Sequence, residues 1–180
     1  PDNVAPAVFG GATVSWMNDE RSEVGSVRLT PPEGISPVAF IPDFELRTAA
    51  ARAALPATVP HGDASFNVAR GALLAAVLSG NAQAGGGADL HALLMEATRD
   101  RLHQEQRRAA MEPSLALVDW LRGAGFAAVV SGAGPTVLSL ESVGADICRD
   151  AAAAGWRVVP MGVAPQGAQI TRGSLSKVEF

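Results

Sequence analysis

Three features of this chain predict an α+β fold with antiparallel strand pairing. Short apolar runs bounded by turn residues stand next to one another in sequence, which calls for hairpins rather than crossover connections. Between them lie longer stretches with helical apolar periodicity and with cap or stop residues at their ends. The apolar fraction is 48% over 180 residues, enough for a packed core and too high for a disordered segment.

The elements follow in order. From Pro1 to about Val8 the pattern is helical, with Asp2 and Asn3 in cap-like positions and Gly10-Gly11 as the break. Ala12 to Met17 and Val24 to Leu29 read as two strands of a hairpin around the polar link Asn18 to Ser22. Pro31-Pro32-Glu33-Gly34 marks a linker or domain edge, and Val38 to Ile41 is a third strand ended by Pro42-Asp43. Thr48 can cap a helix from Ala49 to Leu55 that stops at Pro56. Asp63 can cap a longer helix to Ser79, closed by Gly80-Asn81. Residues 82–87 read as a flexible loop, and Asp89 as the cap of a helix reaching about His103. Pro113-Ser114 opens a helix to about Arg122, ended by Gly123 and Gly125. Two β runs, Ala127 to Val130 and Val137 to Leu140, flank Ser131-Gly132-Ala133-Gly134-Pro135-Thr136. Gly144 to Ala154 reads as a helix, Trp156 to Val163 as a strand, and Ala168 to Thr171 as a further strand.

Charge narrows the function classes. With 14 Lys+Arg against 18 Asp+Glu the net charge is −4, and no basic block exceeds Arg107-Arg108, so nucleic acid is a poor partner. No apolar run approaches the roughly 20 residues that span a bilayer, and no signal-like segment opens the sequence. Cys148 is the only cysteine and no Cys/His cluster has zinc-ligand spacing. These features point to a cytoplasmic protein without disulfides or membrane contacts. The chain starts at Pro1 without an initiator Met and runs at once into ordered-looking sequence, from which we expect further sequence upstream.

Three features resist a purely structural reading. On the helix from Asp63, Phe66, Leu73, Leu74, Val77 and Leu78 form one apolar stripe, and Arg70 sits in its middle. A guanidinium there either snorkels, pairs with an internal carboxylate, or anchors a ligand carboxylate or phosphate; Asn67, one turn back, can share that site. Asp100 to Arg108 is dense in polar and charged groups and by itself reads as a solvated helix end, with Arg favoured near the C-terminal dipole. The glycine segment 131–136 is either a hairpin turn or a loop where Gly132 and Gly134 let a ligand approach the backbone. It is neither a phosphate loop ending in Gly-Lys-Ser/Thr nor a Gly-x-Gly-x-x-Gly fingerprint.

Taken together, these segments resemble the homoserine kinase family of the GHMP small-molecule kinases. Pro1-Asp2-Asn3-Val4-Ala5-Pro6 with Gly10-Gly11 is similar to the family's His-Pro-Asp-Asn segment without its first residue. Pro42-Asp43-Phe44-Glu45-Leu46-Arg47-Thr48 is similar to the strand and turn that open its C-terminal domain, and His61-Gly62-Asp63-Ala64-Ser65-Phe66-Asn67 with Arg70 to its anchor helix. Ser131 to Thr136 is similar to the superfamily's third glycine motif. Departures are Glu105-Gln106 where the family usually has Pro-Tyr, and Gly62 in place of a common Ala.

The resemblance implies the rest. Residues 1–36 would be the C-terminal end of a kinase N-terminal domain, and residues 37–180 a ferredoxin-like GHMP kinase C-terminal domain. The implied reaction transfers the γ-phosphoryl of ATP to the side-chain hydroxyl of L-homoserine, with Mg²⁺, on the way to threonine. Arg70 and Arg107 would hold the substrate carboxylate, a task suited to paired planar guanidiniums. Asp2 would lie beside the substrate, and Asn3 would stand where some superfamily kinases carry a catalytic Asp. Gly132, Ala133 and Gly134 would form the loop near substrate and phosphate. The phosphate loop and the Mg²⁺ ligands would lie upstream, with no metal ligand in this chain, so the 180 residues alone are expected to be inactive. A homodimer is a further expectation. The alternatives are another GHMP kinase acting on a different alcohol, or a non-catalytic ferredoxin-like domain that senses an amino acid.

Overall fold

The structure is a computed structural model that describes residues 3–20, 22–82, 87 and 89–170. Asp2, most of the 82–87 loop and Thr171 therefore lie outside the described residues. The chain divides into two units: residues 3–29 with 164–170, and residues 30–163. The first break follows the second strand directly, just before the Pro31-Pro32 edge. It differs from the boundary expected after residue 36, and residues from 164 onward group with the N-terminal segment.

In the first unit, helix α1 (Val4–Phe9) ends at Gly10 and leads into strands β1 (Ala12–Met17) and β2 (Val24–Leu29). The strands pair antiparallel with Val14 opposite Val27 and Trp16 opposite Gly25. Asn18 closes the hairpin: its Oδ1 accepts from the Ser22 and Glu23 N–H groups at 3.0 and 3.3 Å. The expected strand at 168–171 does not form over its described residues; one bond, Ala168 N–H to Ala7 C=O at 2.9 Å, ties that segment to α1. Gly167 has a steric reason to be glycine, because a Cβ there would collide with the Val8 carbonyl.

The second unit is built on a four-stranded antiparallel sheet of β3 (Val38–Ile41), β4 (Ala128–Val130), β5 (Val137–Ser139) and β6 (Arg157–Pro160). Spatial order is β4-β5-β3-β6. The first strand in sequence thus lies between the third and fourth, which is the ferredoxin-like arrangement. β3 pairs with both neighbours (Phe40 faces Val137 and Val158), so Val38, Ala39 and Phe40 are all buried and read as an unbroken apolar run. The core joins Val38, Phe40 and Val137 to Leu117, Val118 and Leu121 of helix α5 (Glu112–Gly123) and Ala151 of α6 (Ala145–Ala153). Burying each large side chain contributes about 1.5–3 kcal/mol.

Three more helices lie between β3 and α5: α2 (Thr48–Ala53), α3 (His61–Leu78) and α4 (Leu90–Ala97). α3 and α4 share a core of Val77, Leu94 and Ala127. Three expectations need correction. Thr48 is the first helical residue of α2 and makes no cap bond; Arg47 holds that position. α3 starts at His61 after Pro60, so Asp63 lies inside its first turn. α4 is capped by Asp89, whose side chain accepts from Ala92 N–H at 2.8 Å, but it stops at Ala97 instead of reaching His103. Among the described residues no helix is long and apolar enough to cross a membrane.

Candidate active site

The termination of α4 has a specific cause in Asp100. Its carboxylate accepts from the backbone N–H groups of Gln104 (2.7 Å), His103 (2.8 Å) and Leu102 (3.3 Å). It also accepts from Asn67 Nδ2 at 2.6 Å and faces His103 Nδ1 at 3.0 Å. A residue whose side chain captures three successive amides replaces the helix by a turn. Burial works against ionisation of this carboxyl, but the bonds from Gln104, Asn67 and His103 outweigh it and hold the pKa at about 2. The turn passes into a 3-10 segment, Glu105–Ala110, that carries Arg107 inward.

Arg107 is buried at 9% exposure. Its Nε donates to Ala51 C=O on α2 at 3.2 Å and its Nη1 to Gly132 C=O at 3.1 Å. Among the described residues no carboxylate pairs with it, so a full positive charge is held by neutral acceptors alone. Glu105 and Gln106 bond elsewhere: Glu105 accepts from Arg108 Nε at 2.8 Å, and Gln106 Nε2 donates to Arg101 C=O at 2.8 Å.

The glycine segment is the hairpin loop joining β4 to β5, closed by Ser131 N–H to Thr136 C=O at 2.8 Å. It is also the loop that Arg107 touches, so the two sequence readings of it are compatible. Gly132 and Gly134 both adopt positive φ, 59° and 83°. A Cβ on Gly134 would meet Met111 Sδ at 2.8 Å and Val130 Cγ1 at 3.0 Å. Ser114, fully buried, donates its hydroxyl to Pro135 C=O at 2.6 Å, and Gln104 Oε1 accepts from Val130 N–H at 2.8 Å. The N–H groups of Gly132 and Ala133 have no acceptor among the described residues, so they are free to bind an anion. A cleft of about 410 Å³ flanks the loop, lined by Pro42, Asp43, Phe44, Arg47, Pro135 and Thr136 among others.

Arg70 sits in a cluster the sequence did not reveal. Its Nη2 donates to Glu96 on α4, and its guanidinium lies over the Phe66 ring, 3.6 Å from the centroid. Arg101 and Arg99 approach the same ring at 3.9 and 5.2 Å. Arg99 in turn holds Glu96 at 3.1 Å, and Arg101 holds Asp63 at 3.3 Å. The Arg99 bond is the largest effect and, with the Arg70 bond, keeps the Glu96 carboxyl below the ordinary glutamate range, although burial opposes ionisation more strongly than the Arg70 bond alone favours it. The carboxylate partner expected for Arg70 is thus Glu96, and among the described residues the buried Arg70 Nε has no hydrogen-bond partner. Asn67 does not join Arg70: its Nδ2 goes to Asp100, and its Oδ1 accepts from Arg101 N–H at 2.9 Å.

Asn3 belongs to the first unit, exposed at the start of α1 and without a side-chain cap bond. Asp2 lies outside the described residues. Sequence reasoning missed Asp100, Gln104, Glu96 and Ser114; only Asp100 carried a usable signal, as a turn-favouring residue followed by three amides it could cap. It also missed Arg122. Burial lowers the pKa of that guanidinium, which is held by Thr98 Oγ1 (2.8 Å), Met95 C=O (2.7 Å) and Ala128 C=O (3.2 Å) and fastens the end of α4 to β4.

Residues 73–155 match the family described as GHMP kinases C terminal. The chain is 43% identical over 171 residues to a homoserine kinase of Streptomyces coelicolor, covering 94% of this chain and 52% of that protein. It is 46% identical over 142 residues to a homoserine kinase of Clavibacter michiganensis, covering 79% and 42%. The crystal structure of homoserine kinase from Cytophaga hutchinsonii superposes with a TM-score of 0.74 at 22% identity, covering 91% of this chain and 52% of that one, which shows the fold. The chain spans about half the length of the curated relatives it matches.

Proposed function

We propose that the chain, whose residues 73–155 match the GHMP kinase C-terminal family, is the C-terminal portion of a homoserine kinase, which moves the γ-phosphoryl of ATP to the side-chain hydroxyl of L-homoserine. One observation carries the reading beyond similarity. Arg107 is a buried cation with only neutral acceptors, against a glycine loop with unengaged N–H groups. A buried charge of this kind costs several kcal/mol unless an anion answers it. A substrate carboxylate is such an anion, and a guanidinium offers it two parallel donors.

In this reading Arg107 and Arg70 bind the carboxylate, with Arg70 exchanging Glu96 for the substrate. The resemblance would also give Asp2 and Asn3 substrate roles, Asn3 without taking the hydroxyl proton, since an amide is no base. Gly132 and Ala133 present N–H groups to anionic oxygens of substrate or phosphate, while the Gly134 N–H donates to Ser131 C=O at 2.9 Å and shapes the loop. The rate would come from positioning and electrostatics, as phosphoryl transfer allows. Among the described residues no three His, Cys, Asp or Glu side chains converge as metal ligands. As the family resemblance implies, ATP and Mg²⁺ would be held mainly by sequence upstream of this chain. The unit of residues 3–29 with 164–170 would belong to an N-terminal kinase domain, and residues 30–163 would form the C-terminal one. The intact enzyme would be cytoplasmic, and a homodimer is compatible with this reading.

The test uses the intact enzyme that contains this chain, in a coupled ADP-release assay. We expect turnover with homoserine, an increase in its KM of about tenfold or more for Arg70→Ala and Arg107→Ala, and no turnover by the 180-residue chain alone. Equal KM values in wild type and both variants would sink the carboxylate assignment. Turnover of a carboxylate-free alcohol in preference to homoserine would favour a different GHMP substrate, and intact protein that binds homoserine without ATP turnover would favour a sensor.

A further inference from the structure

The two proposed carboxylate arginines come from separate elements, α3 and the 3-10 segment, and something must fix their spacing. One carboxylate links both. Asp100 takes Nδ2 of Asn67, which lies one turn before Arg70 on α3, while Asn67 Oδ1 takes the N–H of Arg101. These two crossing bonds, 2.6 and 2.9 Å, pin the 100–104 turn to the helix that carries Arg70. From the other side, Asp100 accepts the Gln104 N–H at 2.7 Å. Gln104 C=O then accepts the Arg107 N–H at 3.0 Å, and Gln104 Oε1 accepts Val130 N–H at the entrance to the glycine loop.

We infer that Asp100 is a positioning residue for the substrate carboxylate site, setting the geometry of Arg107 relative to Arg70 through the Asn67 and Gln104 bonds. The inference rests on the carboxylate reading of those two arginines. Asp100 itself does not touch substrate. Four of its five donors come from its own turn and one from α3, so its side chain is 14% exposed and fully engaged. An amide in its place would keep the shape but offer one acceptor oxygen instead of two, and its NH₂ would oppose the backbone N–H donors. Misplacement of a binding group by about 1 Å is enough to cost large factors in catalysis.

The experiment compares Asp100→Asn, Asn67→Ala and Arg107→Ala in the intact enzyme, with homoserine and ATP varied separately. Asp100→Asn is expected to raise the homoserine KM about tenfold while kcat and the ATP KM stay within about threefold, and Asn67→Ala to move the same constant by a smaller factor. A general folding defect would instead lower kcat and raise both KM values together. Should Asp100→Asn fail to fold, Asn67→Ala decides alone, because it cuts only the link to α3. An unchanged homoserine KM in every variant that folds, with Arg107→Ala raised, overturns the positioning role and spares the carboxylate reading. An unchanged KM in Arg107→Ala overturns both.

Discussion

Arg107 shows how much a single guanidinium is asked to do. Its two observed bonds go to carbonyls of different elements, Ala51 on α2 and Gly132 in the loop. A lysine keeps the charge but has neither the planar fork nor the reach to span both. Arg107→Lys is therefore expected to raise the homoserine KM about tenfold and to cost about 1–3 kcal/mol in denaturant unfolding, since a buried carbonyl loses its donor. Asp100 supports a second residue-scale prediction, in pH. Its pKa falls from 3.8 to about 2 on folding, so the native state binds fewer protons than the unfolded one between those values. Its contribution, about 2 kcal/mol, is complete above pH 3.8 and disappears as pH falls through about 2. Urea titrations from pH 5 to 2 should show wild type losing that increment and Asp100→Asn losing none of it. Parallel curves for the two proteins would remove the assignment. At this scale the sequence exposed anomalies without their partners: Arg70 stood out on an apolar stripe, but Glu96 lies 26 residues away and Asp100 lies 33 from Asn67. Such pairings exist only once α3 and α4 have packed.

At the level of elements, the sequence was most legible where one local pattern acts unopposed. β1 and β2 have the predicted bounds because apolar alternation and the polar link Asn18 to Ser22 agree. Periodicity overruns the end of α4 because Arg101 extends the face of Leu90, Leu93, Leu94 and Ala97, while the capture of three amides by Asp100 is a competing local bond that periodicity does not register. Caps divide the same way. Asp89 makes its bond and Thr48 does not, so Asp89→Ala should cost about 1 kcal/mol and Thr48→Ala less than about 0.5 kcal/mol by thermal or urea unfolding. Equal costs would mean that the α4 cap is not the stabilising contact. The glycine loop separates two effects of a methyl group. Gly132→Ala meets nothing within 4 Å and bears only its positive φ, about 1 kcal/mol; Gly134→Ala adds a collision with Met111 and Val130, for about 2–4 kcal/mol in all. Unfolding measurements that rank Gly132→Ala as the costlier change would contradict the loop geometry.

Across the molecule, the hairpin of the first unit reverses the usual burial of a two-stranded sheet. Ser15 and Ser26 are half-buried and share a hydrogen bond at 3.0 Å, whereas Val14, Trp16 and Val27 on the other face are 43%, 52% and 50% exposed. A two-stranded ribbon with a bare apolar face has marginal stability, and such a face marks a surface that another element covers. The chain spans about half the length of its curated relatives, and on the proposed reading the cover is expected from protein sequence outside these 180 residues. Trp16 is the reporter. With Trp120 and Trp156 replaced by Phe, acrylamide should quench Trp16 several-fold less in the intact enzyme than in the 180-residue chain. The chain alone should bind an apolar dye, and Trp16→Thr should reduce that binding. Equal quenching in the two proteins would mean that the face stays bare, and the β1-β2 hairpin would then not pack into a larger domain. The same pair of proteins separates folding from catalysis. The sheet of the second unit has its own core around Phe40 and Leu121, so the shorter chain should keep the far-ultraviolet signature of that unit while lacking phosphoryl transfer. Loss of the signature together with activity would show instead that the ferredoxin-like unit depends on the rest of the enzyme to fold.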